Sequence, residues 1–514
     1  MAELEVLATT IQSLTGLRRL DLGLYTFSAR EGRPIGSYLL RYCPPSLELL
    51  RVDVGDVQLS LMEEYGFDSD SEDDSNGDSE DGDESESEEE EGGEVLGDDE
   101  SVTGESEDPE MDGEVYVSNI NHLHVEAAVE RRTAPLVHLK AFWCWDLLGH
   151  SEKEVREIFE TCPNIEQLHL PNLSSRLDVD TTMIARAIVE SCPKVNTLQF
   201  YGQGSDTKIE LPFKVLELLP EQQVQQACIR NFHIELDEQM ARGVFLRHST
   251  TLHTLILQGC SPTDSAAIRV ILAECGALED LRFIHTNHKD YEAIWPYPDL
   301  YGKGCGILLA DAVAAPWACT KLKRLELLVR INELCAEPGL VRVAYFRREA
   351  PVELTPTETR FFESLERLYR QIGSLVELQH LDLQLDLMSS DGGRHEDIPT
   401  SSEVSFPGML NLDMGRPGYL ELLGGLKKLR ELRGSVRADT YETTLRMGAL
   451  EAYWMRDHWP ELELAEFFFK GSDITQPFRW LQEQQRQRGR NLKLVVPYSL
   501  YEDCVERVWA FPPK

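Results

Sequence analysis

Apolar positions recur along this chain in one short phrase, L-x-x-L-x-L. It occurs at Leu17, Leu20 and Leu22, and again at Leu47, Leu50 and Val52. It returns at Leu136, Leu139 and Ala141, at Ile165, Leu168 and Leu170, and at Val195, Leu198 and Phe200. Later copies begin at Leu252, Leu278, Leu322, Leu378 and Leu429, with degraded ones near Leu462 and Leu492. The phrase is too short for a helix. Its last three residues alternate in, out, in, which predicts a strand buried on one face. Before each phrase lies a segment with apolar residues at helical spacing, such as Val155, Ile158 and Phe159, or Ile184, Ala187 and Ile188. These segments predict helices with one buried stripe. Asp180 or Thr181, and Thr263 or Asp264, are suited to cap them, and Cys-Pro or Gly ends several.

The spacing makes the pattern a repeat. Successive phrases start 30 residues apart from 17 to 47, 29 from 136 to 165 and 30 from 165 to 195. The next interval, 57, holds a poor copy at Val224, Ala227 and Ile229. Three later intervals, 44, 56 and 51, read as single units enlarged by loops. A helix, a turn and a short strand in roughly 25–30 residues is the leucine-rich-repeat unit. The expected fold is therefore an α/β leucine-rich-repeat solenoid of about 12–13 units, with parallel strands on the concave side and helices on the convex side. Leu211 to Leu219 reads as one of the repeat helices.

The two residues flanking the middle apolar position of each phrase should face the concave surface. This set is His138 and Lys140, Gln167 and His169, Thr197 and Gln199, and Thr254 and Ile256. It continues with Asp280 and Arg282, Arg324 and Glu326, His380 and Asp382, and Glu431 and Arg433. The set runs from polar and His-rich to strongly charged, which suits a protein or peptide partner. Tyr291, Trp295 and Tyr297, in the enlarged loop 285–306, are candidate interface anchors. A second enlarged loop, 388–417, is polar and rich in Gly and Ser.

Charge changes the picture in one place. The chain has 514 residues and a formal net charge of −40, but 27 of its acids fall within residues 63–114. No Lys or Arg occurs from Val52 to Glu130. Such a segment buries too little to offset its ordering entropy and should be disordered. The chain thus divides into N-terminal repeats at 1–62, an acidic insertion at 63–114 and a main array at 115–514. Ser69, Ser71, Ser75, Ser85 and Ser87 each have an acid three residues on, the pattern an acidophilic kinase prefers. The charge argues against nucleic acid and against anionic membranes as partners. The combination of this tract with a leucine-rich array resembles acidic leucine-rich nuclear proteins, which implies a scaffold or a chaperone for histones and other basic proteins.

Little else in the chain points to chemistry. The N-terminus lacks the basic and apolar regions of a signal peptide, and no apolar run is long enough to span a membrane. Eleven scattered cysteines without a CxxC pair fit a reducing cytosol or nucleus. His285 with His288, and His122 with His124, have metal-like spacing but no completing ligands. Gly302, Gly304 and Gly306 miss the spacing of a phosphate loop and suit a flexible start to a helix at 307–314. Arg479 to Lys493 is locally basic and reads as the solvated face of the last helix. No enzyme signature, cofactor site or metal site is expected.

Cys43-Pro44, Cys162-Pro163, Cys192-Pro193 and Cys275-Gly276 close helices just before the leucine phrase. In this the chain resembles the cysteine-containing leucine-rich repeats of F-box proteins, especially the large fungal sets. The resemblance covers nearly the whole chain outside the acidic tract. It implies that the array is the substrate-recognition part of a cullin–RING ubiquitin ligase, without catalytic activity of its own. In that family an F-box precedes the repeats; here Leu4 to Leu14 already reads as a repeat helix. The acidic tract resembles that of acidic leucine-rich nuclear proteins, though there it is a C-terminal tail. A third expectation is an inhibitor of the ribonuclease-inhibitor type.

Overall fold

The alternating phrases form strands, and the strands form one sheet. In the computed structural model the described residues are 2–23, 35–53, 132, 134–143, 152–173, 180–202, 210–230, 232, 235–260, 263–284, 306–331, 356–387, 419–433, 449–466 and 476–495. Fourteen strands pair in parallel, thirteen of them in strict chain order. They are β1 (Arg19–Gly23), β2 (Leu49–Asp53), β3 (Ala141–Trp143), β4 (Gln167–Leu173), β5 (Thr197–Gly202) and β6 (Gln226–Arg230). Then come β7 (Thr254–Gln258), β8 (Asp280–Ile284), β9 (Ile307–Leu308), β10 (Arg324–Ile331) and β11 (His380–Leu387). The last are β12 (Glu431–Arg433), β13 (Leu464–Glu466) and β14 (Lys493–Val495). Only β9 stands off this path, pairing with the far end of β10.

The register repeats from strand to strand. Leu20 pairs with Leu50, Leu168 with Leu198, Leu255 with Leu281, and Leu325 with Leu381. The poor copy is a true unit, because Ala227 of β6 lies between Leu198 and Leu255. A sheet with neighbouring strands always consecutive is the signature of a solenoid, and the chain is a leucine-rich-repeat array. The acidic insertion falls between two strands that pair directly, Leu49 of β2 with Ala141 of β3.

Helices cover one face of the sheet. They include α1 (Ala2–Ser13), α2 (Ile35–Leu40), α3 (Glu152–Glu160), α4 (Thr181–Ser191), α5 (Leu211–Leu218), α6 (Glu238–Val244) and α7 (Ser265–Glu274). After them come α8 (Leu309–Ala312), α9 (Pro356–Gly373), α10 (Tyr419–Leu422), α11 (Ala449–His458) and α12 (Gln476–Gln487). The expected caps are present: the Asp180 carboxylate accepts from the N–H groups of Thr182 and Met183, and Asp264 accepts from Ala266. The buried stripe of each helix meets the inward leucines of the strands in one continuous core, from Leu7 to Leu492. Each fully buried leucine contributes about 1.5–3 kcal/mol. No unit closes this core alone, so stability comes from stacking neighbours.

The cysteines that end the helices belong to this core. Cys43, Cys162, Cys192, Cys275 and Cys319 are buried thiols, none in a disulfide. Cys192 Sγ lies 3.5 Å from the Cys162 carbonyl oxygen, one repeat back. Burial pushes Cys43, Cys162, Cys275 and Cys319 up to about 12, so they remain protonated and unreactive at neutral pH. A small residue at a fixed inner position accounts for them.

One expectation needs correction here. Residues 307–314 do not form one helix: Ile307 and Leu308 pair as β9 with Val329 and Arg330, and the helix covers only 309–312. Gly306 is buried there, and a Cβ would lie 2.8 Å from Arg330 Nε and 3.2 Å from Leu328 Cδ2. Arg479, Arg486, Arg488 and Lys493, on and just after the last helix, are exposed; Arg486 pairs with Glu483, and Arg490 with Glu461 and Glu463. Residues 54–131, 285–305, 332–355 and 388–418 all follow the C-terminal end of a strand, so these segments attach along one edge of the sheet. Among the described residues no helix is long and apolar enough to cross a membrane.

Candidate functional site on the open face of the sheet

Leucines point to the helices, so the residues between them line the other face, which in this fold is the concave one. Two rows run across it. The first contains Arg19, Leu49, Ala141, Gln167, Thr197, Gln226, Thr254, Asp280, Arg324, His380 and Glu431. The second contains Asp21, Arg51, Trp143, His169, Gln199, Cys228, Ile256, Arg282, Glu326, Asp382 and Arg433. The strand pairs expected from Gln167 onward all fall in these rows.

His138 and Lys140 do not. His138 is exposed in the turn before β3. Lys140 is the link residue before the strand: its N–H donates to Glu48 and its carbonyl accepts from Glu166 and Gln167. The register of β3 is displaced by three residues from the L-x-x-L-x-L reading, so Ala141 and Trp143 take the two open-face positions. Leu136 and Leu139 are buried in either reading. What decides is Phe142, which takes the leucine place, fully buried, edge-on to Phe159 at 6.4 Å between ring centroids. The aromatic phrase Leu139, Phe142 carried this signal; it is hidden if only aliphatic residues are counted.

The corrected register reveals a cluster at the N-terminal side. The Arg51 guanidinium lies 4.3 Å above the Trp143 ring, and the Trp143 and His169 rings meet edge-on at 4.1 Å. Arg51 also lies 3.6 Å from Asp21. His169 is only 9% exposed. Its burial, with the positive charges of Arg51 and Arg230 nearby, pushes the imidazole down to about 3. It is neutral at physiological pH.

On the C-terminal side, β8, β10, β11 and β12 carry the charged set. Arg282 donates two hydrogen bonds to Asp280 of its own strand, at 2.8 and 2.6 Å. His380 Nδ1 lies 3.3 Å from the Glu431 carboxylate, and Arg433 lies 3.4 Å from it. The contact with His380 holds Glu431 at about 2. Glu326 and Asp382 are register partners, so two carboxylates sit side by side. Burial and the Asp382 charge push Glu326 up to about 7, against the pull of Arg282 and Arg324. Glu326 therefore keeps a proton into the neutral range. The arrangement is a half-buried surface of both signs, fixed by contacts within and between strands.

This predicts a measurable pH effect. A carboxyl raised in the folded state costs nothing below the unfolded value near 4.5, and its cost grows as pH rises towards 7. Glu326→Gln removes the titration. Relative to wild type the variant should gain stability between pH 5 and pH 8, by roughly 1–3 kcal/mol at about 1.4 kcal/mol per pH unit. Urea unfolding midpoints of both proteins at the two pH values check this; an unchanged difference counts against the raised Glu326 carboxyl.

Among the described residues no cluster of three or more His, Cys, Asp or Glu side chains is placed to hold a metal ion. Tyr291, Trp295 and Tyr297, the five serines Ser69, Ser71, Ser75, Ser85 and Ser87, the acidic tract 63–114, and His122, His124, His285 and His288 lie outside the described residues.

No protein-family model matches the chain. No curated protein matches it either. Among solved structures, the chain is similar to the crystal structure of the Rad7 and Elc1 complex in yeast. That match has 10% identity over 70% of this chain and 74% of that one, with a TM-score of 0.29. It is also similar to the leucine-rich repeat-containing protein LegL7 from Legionella pneumophila. Here identity is 14% over 65% of this chain and 94% of that one, with a TM-score of 0.24. At such scores the assignment of the chain to the leucine-rich-repeat architecture rests on its own strand register.

Proposed function

We propose that the chain is a protein-recognition array whose open sheet face binds a partner protein or peptide. The observation that carries this is the double row across the open face, in which polar and charged side chains from Arg51 to Arg433 are interrupted by the buried Ala141, Trp143, Cys228 and Ile256. These residues are held by Arg282–Asp280, His380–Glu431 and Arg51–Trp143 contacts before any partner arrives. Binding such a surface costs little side-chain ordering, and its mixed signs favour a partner of complementary pattern.

Within that reading, the recognition part of a cullin–RING ubiquitin ligase is the finer assignment, supported by the Cys-Pro turns before three of the leucine phrases, at Cys43, Cys162 and Cys192. A second reading has one specific support, the 27 acids of residues 63–114: they would hold basic proteins independently of the sheet. A photo-crosslinking residue at Gln199 on the open face, and another at exposed Arg186 on α4, test the main reading in cell extract. Crosslinks concentrated at position 199 support it; equal yield from both positions overturns it. Absence of a cullin-linker subunit among proteins co-purified with the wild-type chain removes the ligase assignment and leaves recognition standing.

A further inference from the structure

The Arg51–Trp143–His169 cluster lies at the opposite side of the face from the self-paired charges of β8 to β12. At its centre is a buried ring nitrogen. His169 Nδ1 is buried and has no hydrogen-bond partner among the described residues, on a side chain only 9% exposed. An unpaired ring nitrogen at that depth is destabilising, because it has given up its water without gaining a partner. Such a group persists most readily where something else completes it.

The surroundings say what that is. The ring is packed edge-on against Trp143, so one side is occupied by an apolar wall. The charges that act on it are those of Arg51 and Arg230, both positive. Arg51 is on β2 and Arg230 on β6, so they flank β4, which carries His169, from either side along the sheet. Both arginines make contacts of their own, Arg51 with Asp21 at 3.6 Å and Arg230 with the Cys228 thiol. The Asp21 contact is shared with solvent, its carboxylate being 42% exposed.

We propose that Arg51, His169 and Arg230 form a subsite for one carboxylate side chain, Asp or Glu, of the partner. A carboxylate seated there accepts from the imidazole N–H and from guanidinium donors, satisfying the buried nitrogen. The Trp143 ring walls the subsite and excludes water from one side. The charge balance favours a carboxylate over a phosphate. Two guanidinium groups and the Asp21 carboxylate leave one positive charge, which a single negative charge neutralises and a dianion overshoots.

This rests on the reading of the open face as a recognition surface, and its test is separate. The probes are three blocked tripeptides, Gly-Glu-Gly, Gly-Gln-Gly and Gly-phosphoserine-Gly, added to the full chain with histidine ring carbons labelled. NMR follows the His169 ring at pH 7 as each peptide is added. The buried ring of His248 serves as the reporter of an intact fold. With the glutamate peptide, present as the carboxylate at this pH, the His169 ring signal should shift saturably. The glutamine peptide should leave it unmoved. Arg230→Gln should weaken the glutamate effect about tenfold with the His248 signal unchanged. A shift with phosphoserine alone overturns the carboxylate assignment. No shift with any peptide overturns the subsite, even where crosslinking has placed a partner on this face.

Discussion

Gly373→Ala should unfold the C-terminal repeats while leaving the first repeats intact. Gly373 ends α9 at the point where it meets the next unit. A Cβ there would run into the carbonyl oxygen of Leu422 and come within 3.0 Å of its carbonyl carbon. Gly425 faces it from the other side, and a Cβ on Gly425 would meet the Gly373 carbonyl oxygen. Two backbones thus pass each other where only glycine fits. Backbone atoms cannot move aside as a flexible side chain can, so the cost should reach about 3 kcal/mol or more, the upper range for overpacking. In a solenoid each unit contacts only its neighbours, so the damage stays local. Hydrogen exchange should show lost protection at 419–433 and unchanged protection at 180–202. Gly243→Ala is the control: it lies in α6 with nothing within 4 Å of the added Cβ. There the same change should stabilise by about 0.5–1 kcal/mol through helix propensity. Equal effects at the two positions would contradict the close approach.

The second large effect is acid sensitivity arising from one histidine. The folded-state value of His169 is depressed to about 3, from an ordinary 6.5. For a depressed histidine, the unfolded chain takes up the proton first as pH falls. Its contribution is therefore complete above about 6.5 and is lost progressively as pH drops towards 3. The loss runs at about 1.4 kcal/mol per pH unit, or roughly 3 kcal/mol between pH 6.5 and pH 4. Carboxylates titrate over part of the same range, so the informative quantity is the difference from His169→Gln, which keeps a polar side chain without the proton. That difference should shrink steadily across the window in urea unfolding. A flat difference would mean that the imidazole is not held neutral by burial and by Arg51 and Arg230.

The architecture was legible because each unit announces itself twice, as a helical stripe and as an alternating phrase. Even the weak copy at Ala227 was readable, since its spacing placed it midway between two strong ones. The charged half of the open face was legible for the same reason: where Leu325 and Leu381 fix the inward positions, Arg324, Glu326, His380 and Asp382 can only face outward. The partners of those charges were not legible. Arg324 and His380 sit side by side across an enlarged unit, and spacing alone does not align strands separated by a long insertion. The other half was misread at one strand, with consequences beyond it. Aligning β3 on Leu139 rather than Phe142 put His138 and Lys140 on the face and hid Trp143, and with it the reason for Arg51 and His169. Arg230 was missed because its phrase has Val224, Ala227 and Ile229 where others have leucine, and because it follows the phrase rather than lying between its apolar positions.

The attachment of residues 54–131, 285–305, 332–355 and 388–418 along a single edge of the sheet has a consequence for how such a chain can change. The cost of closing a connection grows only logarithmically with its length, about 0.6 kcal/mol per doubling. β2 and β3 therefore pair as other neighbours do, despite the residues between them. Sequence can be spliced in or out after a strand at almost no expense to the sheet, whereas the same insertion before a strand would break the link residues Glu48, Lys140 and Glu166 that stitch one unit to the next. One margin of the molecule is free to diverge in length and composition, and the other is bound to stay uniform.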